Sequence, residues 1–259
     1  MRRIHFIEIE DEPWCPASIR DGATDYLQFV IEKANPYQVI VEKLQNALDL
    51  MDRTEIVDLC SGGGGPWKNL VPALASENSN IKVCLTDKYP NLDSFEKLQG
   101  NFPDNLKFSK DSVDAAQVPK ELKGFRTLFT SFHHFRPPQA RRILADAVES
   151  GEGIAIFEFT RRKFAAILTM LLTPLFVLLV TPFIRPLKFS RFFWTYLIPA
   201  IPLLVGFDGV VSCLRTYTPA ELGEFTKEMS ENYQWEIGEI PVKGSIVPVT
   251  YLIGCLIKK

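Results

Sequence analysis

The chain has 259 residues, 46% of them hydrophobic and 23% charged, with a net charge of −2. That suits a globular α/β domain with an insertion, or two small domains, and gives no electrostatic reason to expect a nucleic-acid partner. Five cysteines lie scattered with no CxxC and no Cys/His cluster, so no metal site is expected and the thiols read as reduced and cytosolic.

The first ten residues start basic, and His5, Glu8 and Glu10 interrupt their apolar stretch, so no signal-peptide core forms. Apolar spacing predicts helices over 21–33 and 37–51, the second with Val39, Ile40, Leu44, Ala47, Leu48 and Met51 on one face. From residue 55 strand and helix alternate. Strands are predicted at 55–59, 81–86, 106–109, 127–131 and 153–159, with helices at 67–76, 92–99 and 138–150. Thr218 and Pro219 open a helix that should run to about residue 232. Strands at 233–240 and 249–257 then close the chain, read as a hairpin at the sheet edge. The expected fold is α/β: a doubly wound, mostly parallel seven-stranded sheet with helices on both faces. Residues 1–52 would form an N-terminal helical lid, 53–160 and 208–259 the sheet domain, and 161–207 an apolar helical insertion after strand five.

The run Asp58-Leu59-Cys60-Ser61-Gly62-Gly63-Gly64-Gly65 joins the end of strand one to a helix start. Glycines there let a ligand approach the backbone, and the helix N-terminus faces the same crevice. Asp87 and Asp111 follow strands two and three, at the edge where open α/β sheets bind ligands. A nicotinamide fingerprint fits poorly, since Cys60 or Trp67 falls where a glycine is needed. A carboxylate ahead of the turn also suits a cationic, phosphate-free cofactor better than a pyrophosphate. S-adenosylmethionine has that character.

On these residues the chain resembles the class I S-adenosylmethionine-dependent methyltransferases, over about 55–159 and again over 218–257. The acid-apolar-G-x-G-x-G pattern is matched with Cys60 at the first glycine. Residues 128–135 and 154–159 are most similar to the ubiquinone, menaquinone and small-molecule methyltransferase branch. The resemblance implies that S-adenosyl-L-methionine is held by Asp58, Cys60, Ser61, Gly62, Gly64, Asp87, Lys88, Asp111, Ser112 and Ser131. Asp87 would bind ribose, and Asp111 with Ser112 adenine. His133 and His134 follow strand four, where the methyl group should project, and are the expected catalytic pair. Glu158 is a weaker candidate on the same crevice. Each histidine also has a plain packing reading within the Phe132–Phe135 aromatic cluster.

The insertion stands apart. Residues 164–184 carry no charge, and a second apolar run covers 192–207. As a helix the first run would be about 31 Å long, close to one bilayer core. Both ends return to one sheet, which excludes a single span. Arg161, Arg162 and Lys163 at one end, and Arg185, Lys188 and Arg191 at the other, favour a shallow hairpin with its cations on anionic headgroups. A soluble cap or an oligomer interface remains the other reading, and a homo-oligomer is left open.

The expectation is therefore a methyltransferase for a lipophilic small molecule or lipid, cytoplasmic and peripheral or monotopic on the inner membrane face. Its rivals are a nicotinamide-dependent oxidoreductase and a non-catalytic membrane- or partner-binding protein on the same fold.

Overall fold

The computed structural model describes residues 1–257. Seven strands form one sheet: β1 (Glu55–Asp58), β2 (Lys82–Leu85), β3 (Leu106–Phe108), β4 (Phe125–Phe129), β5 (Ile154–Glu158), β6 (Tyr233–Ile240) and β7 (Val249–Leu256). Their order is β3-β2-β1-β4-β5-β7-β6. The first five run parallel, so the carboxyl ends of β1 to β5 share one edge. The closing pair is antiparallel, with β7 between β5 and β6. Of that pair only β6 is an edge strand, opposite β3 at the other edge, and β7 is buried along seven of its eight residues.

Helices cover both faces. On one, α2 (Val41–Met51), α3 (Trp67–Glu77) and α4 (Leu92–Asn101) bury Leu44, Leu48, Trp67, Leu70 and Phe95 against the sheet. On the other, α5 (Pro137–Glu149) and α9 (Pro219–Thr226) bury Ile143, Leu144 and Phe225. Apolar side chains at helical spacing on one stripe produce both layers. The helix expected at 37–51 begins as a 3-10 turn at Pro36–Ile40 before α2. Helix α9 carries the expected cap, with Thr218 and Glu221 bonding each other's backbone, but stops at Thr226.

The remaining helices sit at the carboxyl edge of the sheet. They are α1 (Ala17–Ala34), α6 (Phe164–Val180), α7 (Phe189–Phe192) and α8 (Ala200–Arg215), with a π-helical turn at Phe193–Leu197. Gly206 and Gly209 let α8 approach α6 closely. A Cβ at Gly206 would lie 2.7 Å from Pro174, and one at Gly209 3.0 Å from Met170. Ile19, Ala23, Tyr26, Val177, Ile201, Leu204 and Val205 form the small core between α1, α6 and α8. Ala166 of α6 packs instead with Cys213 and Val247, while Leu168, Leu171, Leu175 and Leu179 face outward.

One expectation about the insertion is overturned. Arg191 does not lie on the surface for headgroups: it is buried, pairs with Asp25 of α1, and donates to the carbonyls of Ile184 and Pro186. Lys188 also reaches Asp25. A carboxylate on α1 attracts both cations inward and ties the insertion to that helix.

Candidate functional site

The turn after β1 is built on a buried carboxylate. Asp58 accepts from Thr127 Oγ1 on β4 at 2.7 Å and from Ser61 Oγ at 2.6 Å, and is itself 1% exposed. Burial pushes its carboxyl up to about 6, against the hydrogen bonds from Ser61 and Thr127. Asp58 therefore shapes the turn from beneath. The Ser61 amide donates to Thr86 O, and the Thr86 amide and hydroxyl return to Asp58 O, which locks the ends of β1 and β2 together.

Above this base the chain turns sharply. Cys60 has φ +58°, Gly62 +54°, Gly64 +105° and Gly65 +53°. Gly62 is open, with nothing within 4 Å of a Cβ placed there. Gly64 is not: a Cβ would lie 2.7 Å from Leu98 Cδ2 of α4. The Gly62 amide donates to Asp87 Oδ2 at 2.9 Å, and the Tyr89 amide to Asp87 Oδ1 at 2.8 Å. A carboxylate has about four lone-pair sites, so Asp87 keeps acceptor capacity on the open side. Lys88 is paired instead with Asp114 at 3.2 Å. Asp111 is exposed, and Ser112 Oγ donates to Lys88 O at 2.7 Å, so both stand on the rim beside Asp87. Burial pushes the Cys60 thiol far up, which removes it as a nucleophile. Ser131, after β4, is buried and its hydroxyl lies within hydrogen-bonding reach of that thiol. The structure thus gathers Asp58, Cys60, Ser61, Gly62, Gly64, Asp87 and Ser131 at one edge, with Lys88, Asp111 and Ser112 at its rim.

Helix α1 closes on the same turn. Gln28 Nε2 donates to Gly65 O at 3.0 Å, and a Cβ at Gly63 would lie 3.1 Å from Thr24. A groove of about 340 Å³ runs between Gly63, Gln28, Phe29 and Leu98 and ends at Phe183 and Ile184 of the insertion.

The histidines lie elsewhere in the chemistry. A left-handed Thr130 (φ +42°) swings the chain from β4 into the turn Phe132–His134. Glu158, at the end of β5, accepts the Phe132 amide at 2.7 Å and pairs with His133 Nδ1 at 2.7 Å. His133 is 1% exposed. Its Nε2 has no hydrogen-bond partner and faces Glu8 Oε1 at 3.8 Å. His134 Nδ1 lies 3.0 Å from both Glu8 and Asp11. Burial opposes the imidazolium, yet Asp11 and Glu8 outweigh it and hold the ring well above its ordinary range. Glu8 is fully buried and also meets Arg215 at 3.1 Å and Ser212 at 2.9 Å. The segment over residues 3–11 thus crosses both rings, pinned by Asp208, which accepts the Ile9 and Glu10 amides. The sequence signals His133 and His134, but Glu8, Asp11, Asp208 and Arg215 carry no motif and are found only from the fold.

No protein-family model matches the sequence, and no curated relative is found. Solved structures do match. A plantazolicin methyltransferase in complex with SAH superposes with a TM-score of 0.61 at 10% identity, over 96% of this chain and 94% of that one. An O-methyltransferase from neocarzinostatin biosynthesis, in complex with S-adenosylmethionine and 2-hydroxy-5-methyl naphthoic acid, gives 0.52 at 14% identity, over 93% of this chain and 58% of that one. An O-methyltransferase described as putative in its own name, from Nostoc punctiforme, gives 0.51 at 14% identity, over 94% and 61%. The chain thus spans little more than half the length of the latter two. With the strand order 3-2-1-4-5-7-6, these likenesses establish the class I methyltransferase fold.

Proposed function

We propose that this chain is an S-adenosylmethionine-dependent methyltransferase acting on a lipophilic small molecule or lipid at a membrane surface. The observation that carries the reading is the open backbone at Gly62 beside Asp87, with the buried Ser131 hydroxyl across the same edge. The fold neighbours support it, since two of them hold SAH or S-adenosylmethionine.

The residues present fit that cofactor. Bound there, it would supply an electrophilic methyl group on a sulfonium. Gly62 gives close backbone approach, and Asp87 accepts from the ribose hydroxyls. Asp111 and Ser112 meet the adenine rim, and Ser131 offers a hydroxyl toward the other end. Asp58, with Cys60 and Ser61, holds the turn in shape. Methyl transfer needs alignment and exclusion of water more than covalent help from the protein. Helix α1 and the insertion supply the cover. On the acceptor side, His133 and His134 are the residues placed to handle the acceptor's proton. A direct base role for His133 requires the segment bearing Glu8 to lift.

Membrane contact rests on the outward face of α6. The stretch Phe164–Phe183 is long and apolar enough to cross a bilayer, with mean hydropathy 2.4, and only 17% of it is buried. Leu168, Leu171, Leu172, Leu175, Phe176 and Leu179 are 49% to 68% exposed. A patch of this size rimmed by Lys163 and Arg185 fits a lipid surface better than water. Because α8 returns the chain to the sheet, the hairpin lies in one leaflet. The groove between Gly63 and Phe183 then offers an acceptor a route from lipid to the turn.

The test is incubation of the protein with labelled S-adenosylmethionine and a lipid extract, with mass spectrometry of the products. A lipid that gains one methyl in exchange for hydrogen supports the reading. Binding of NADH with no affinity for S-adenosylmethionine would overturn it in favour of the oxidoreductase.

A further inference from the structure

We infer that Glu8, His133 and His134, with Asp11 beside them, bind one divalent transition-metal ion such as Zn(II). Cation binding needs neither cofactor nor acceptor, but it engages the two histidines that the methyl-transfer reading assigns to the acceptor's proton.

Two segments distant in sequence converge here, one around Glu8 and the other the turn that carries His133 and His134. One ligand atom from each of Glu8, His133 and His134 lies within 4.8 Å of the others. His134 Nδ1 to Glu8 Oε2 is 3.0 Å and His133 Nε2 to Glu8 Oε1 is 3.8 Å. Ligands in a tetrahedral shell with bonds of about 2.1 Å stand roughly 3.4 Å apart. The two separations, each to a different oxygen of Glu8, bracket that figure. Asp11 Oδ2 lies 3.0 Å from His134 Nδ1, beside this cluster of three.

The surroundings match what a metal-bound histidine requires. Such a ring donates its other N–H to a carboxylate, which fixes the tautomer. Glu158 does this to His133 Nδ1 at 2.7 Å, and is itself held by the Phe132 amide and Thr160 Oγ1. That leaves Nε2 as the free lone pair. It is buried, partnerless and aimed at Glu8. A ring nitrogen so enclosed forgoes a hydrogen bond, a cost that coordination removes. Two imidazoles and carboxylate oxygen, with no thiolate, select a borderline divalent ion over calcium or magnesium. Arg215 stands 3.1 Å from Glu8 Oε2 and donates to Asp11 Oδ2, and Ser212 donates to Glu8 Oε1, so both carboxylates are already oriented. With the ion in place, His133 Nε2 is a ligand and not a free base, and residues 8–11 are fastened to the turn after β4.

The competing arrangement is an ion-pair network in which the His134 imidazolium takes the place of the cation. Chelator-stripped, tag-free protein distinguishes the two. It is titrated with Zn(II) by calorimetry and with Co(II) by visible absorption, and bound metal is counted by elemental mass spectrometry. The expected result is one ion per chain and visible d–d bands from Co(II). Glu8→Gln keeps the side chain's shape and its bond from Ser212, and lowers affinity at least tenfold, as does His134→Ala. Glu158→Gln acts only through His133 and lowers it by about 10- to 100-fold. Circular dichroism reports whether each variant folds; if Glu158→Gln does not, the other two titrations still decide. Absence of binding, or binding that Glu8→Gln and His134→Ala leave unchanged, overturns the inference.

Discussion

The amide of Gly62 donates to the carboxylate of Asp87 over 2.9 Å, and this one bond joins the glycine turn after β1 to the end of β2. It orients Asp87 while leaving acceptor sites on its open side. Asp87→Ala is expected to weaken S-adenosylmethionine by roughly 10- to 100-fold, the worth of charge-assisted hydrogen bonds to the ribose. Isothermal calorimetry reads the change directly. Wild-type affinity in that variant would remove Asp87 from the cofactor site.

Two glycines in the same turn separate conformation from crowding. Gly62 has φ +54° and open space, whereas Gly64 has φ +105° and Leu98 Cδ2 2.7 Å from a Cβ. Gly62→Ala is expected to cost about 1 kcal/mol of stability from backbone strain alone and to weaken cofactor binding sharply. Gly64→Ala adds a clash with α4 and is expected to cost about 2–4 kcal/mol. Urea denaturation paired with calorimetry ranks both effects.

Asp58 predicts a pH dependence. Its carboxyl stands at about 6 in the fold, against an ordinary value of 3.8. Between those values the folded state holds the extra proton, so stability falls as pH rises from about 4 to about 6 and the loss is complete above it. The size is roughly 3 kcal/mol over the window. Asp58→Asn should flatten that part of the profile in denaturant melts taken at several pH values, and an unchanged slope would assign it to another group.

The outward face of α6 predicts lipid binding that charge abolishes. Leu172 and Phe176 are 49% and 55% exposed, so Leu172→Glu with Phe176→Glu should leave folding intact. Each charge buried in a leaflet costs on the order of 2.5–3.5 kcal/mol. Wild type is expected to float with anionic liposomes and the double variant to stay at the bottom of the gradient. Wild type that never floats and stays monomeric without detergent would end the membrane reading.

Asp25 tests how the insertion is held. It is the carboxylate facing Arg191, which is 1% exposed. Asp25→Ala leaves that guanidinium buried beside carbonyls only, and is expected to cost about 3 kcal/mol. A lower midpoint in thermal unfolding, with α6 and α8 becoming protease-sensitive first, is the expected outcome.

Much of this was legible in the amino-acid order. The five parallel strands could be read because buried strands are short apolar runs, each ending in a polar residue at one edge, as at Asp58 and Asp87. The glycine turn could be read because four glycines in a row have a local backbone reason to be there. The apolar length of 164–184 was equally plain, since it needs only a count. These properties depend on neighbours within a few residues. The facing of Arg191 toward Asp25, the set of Asp58 against Thr127, and the meeting of Glu8 with His133 and His134 join positions from 69 to 166 residues apart. Nothing local marks such partners. They are chosen by which helices pack at the sheet edge and which buried charges must be paired there, and only the folded chain decides that.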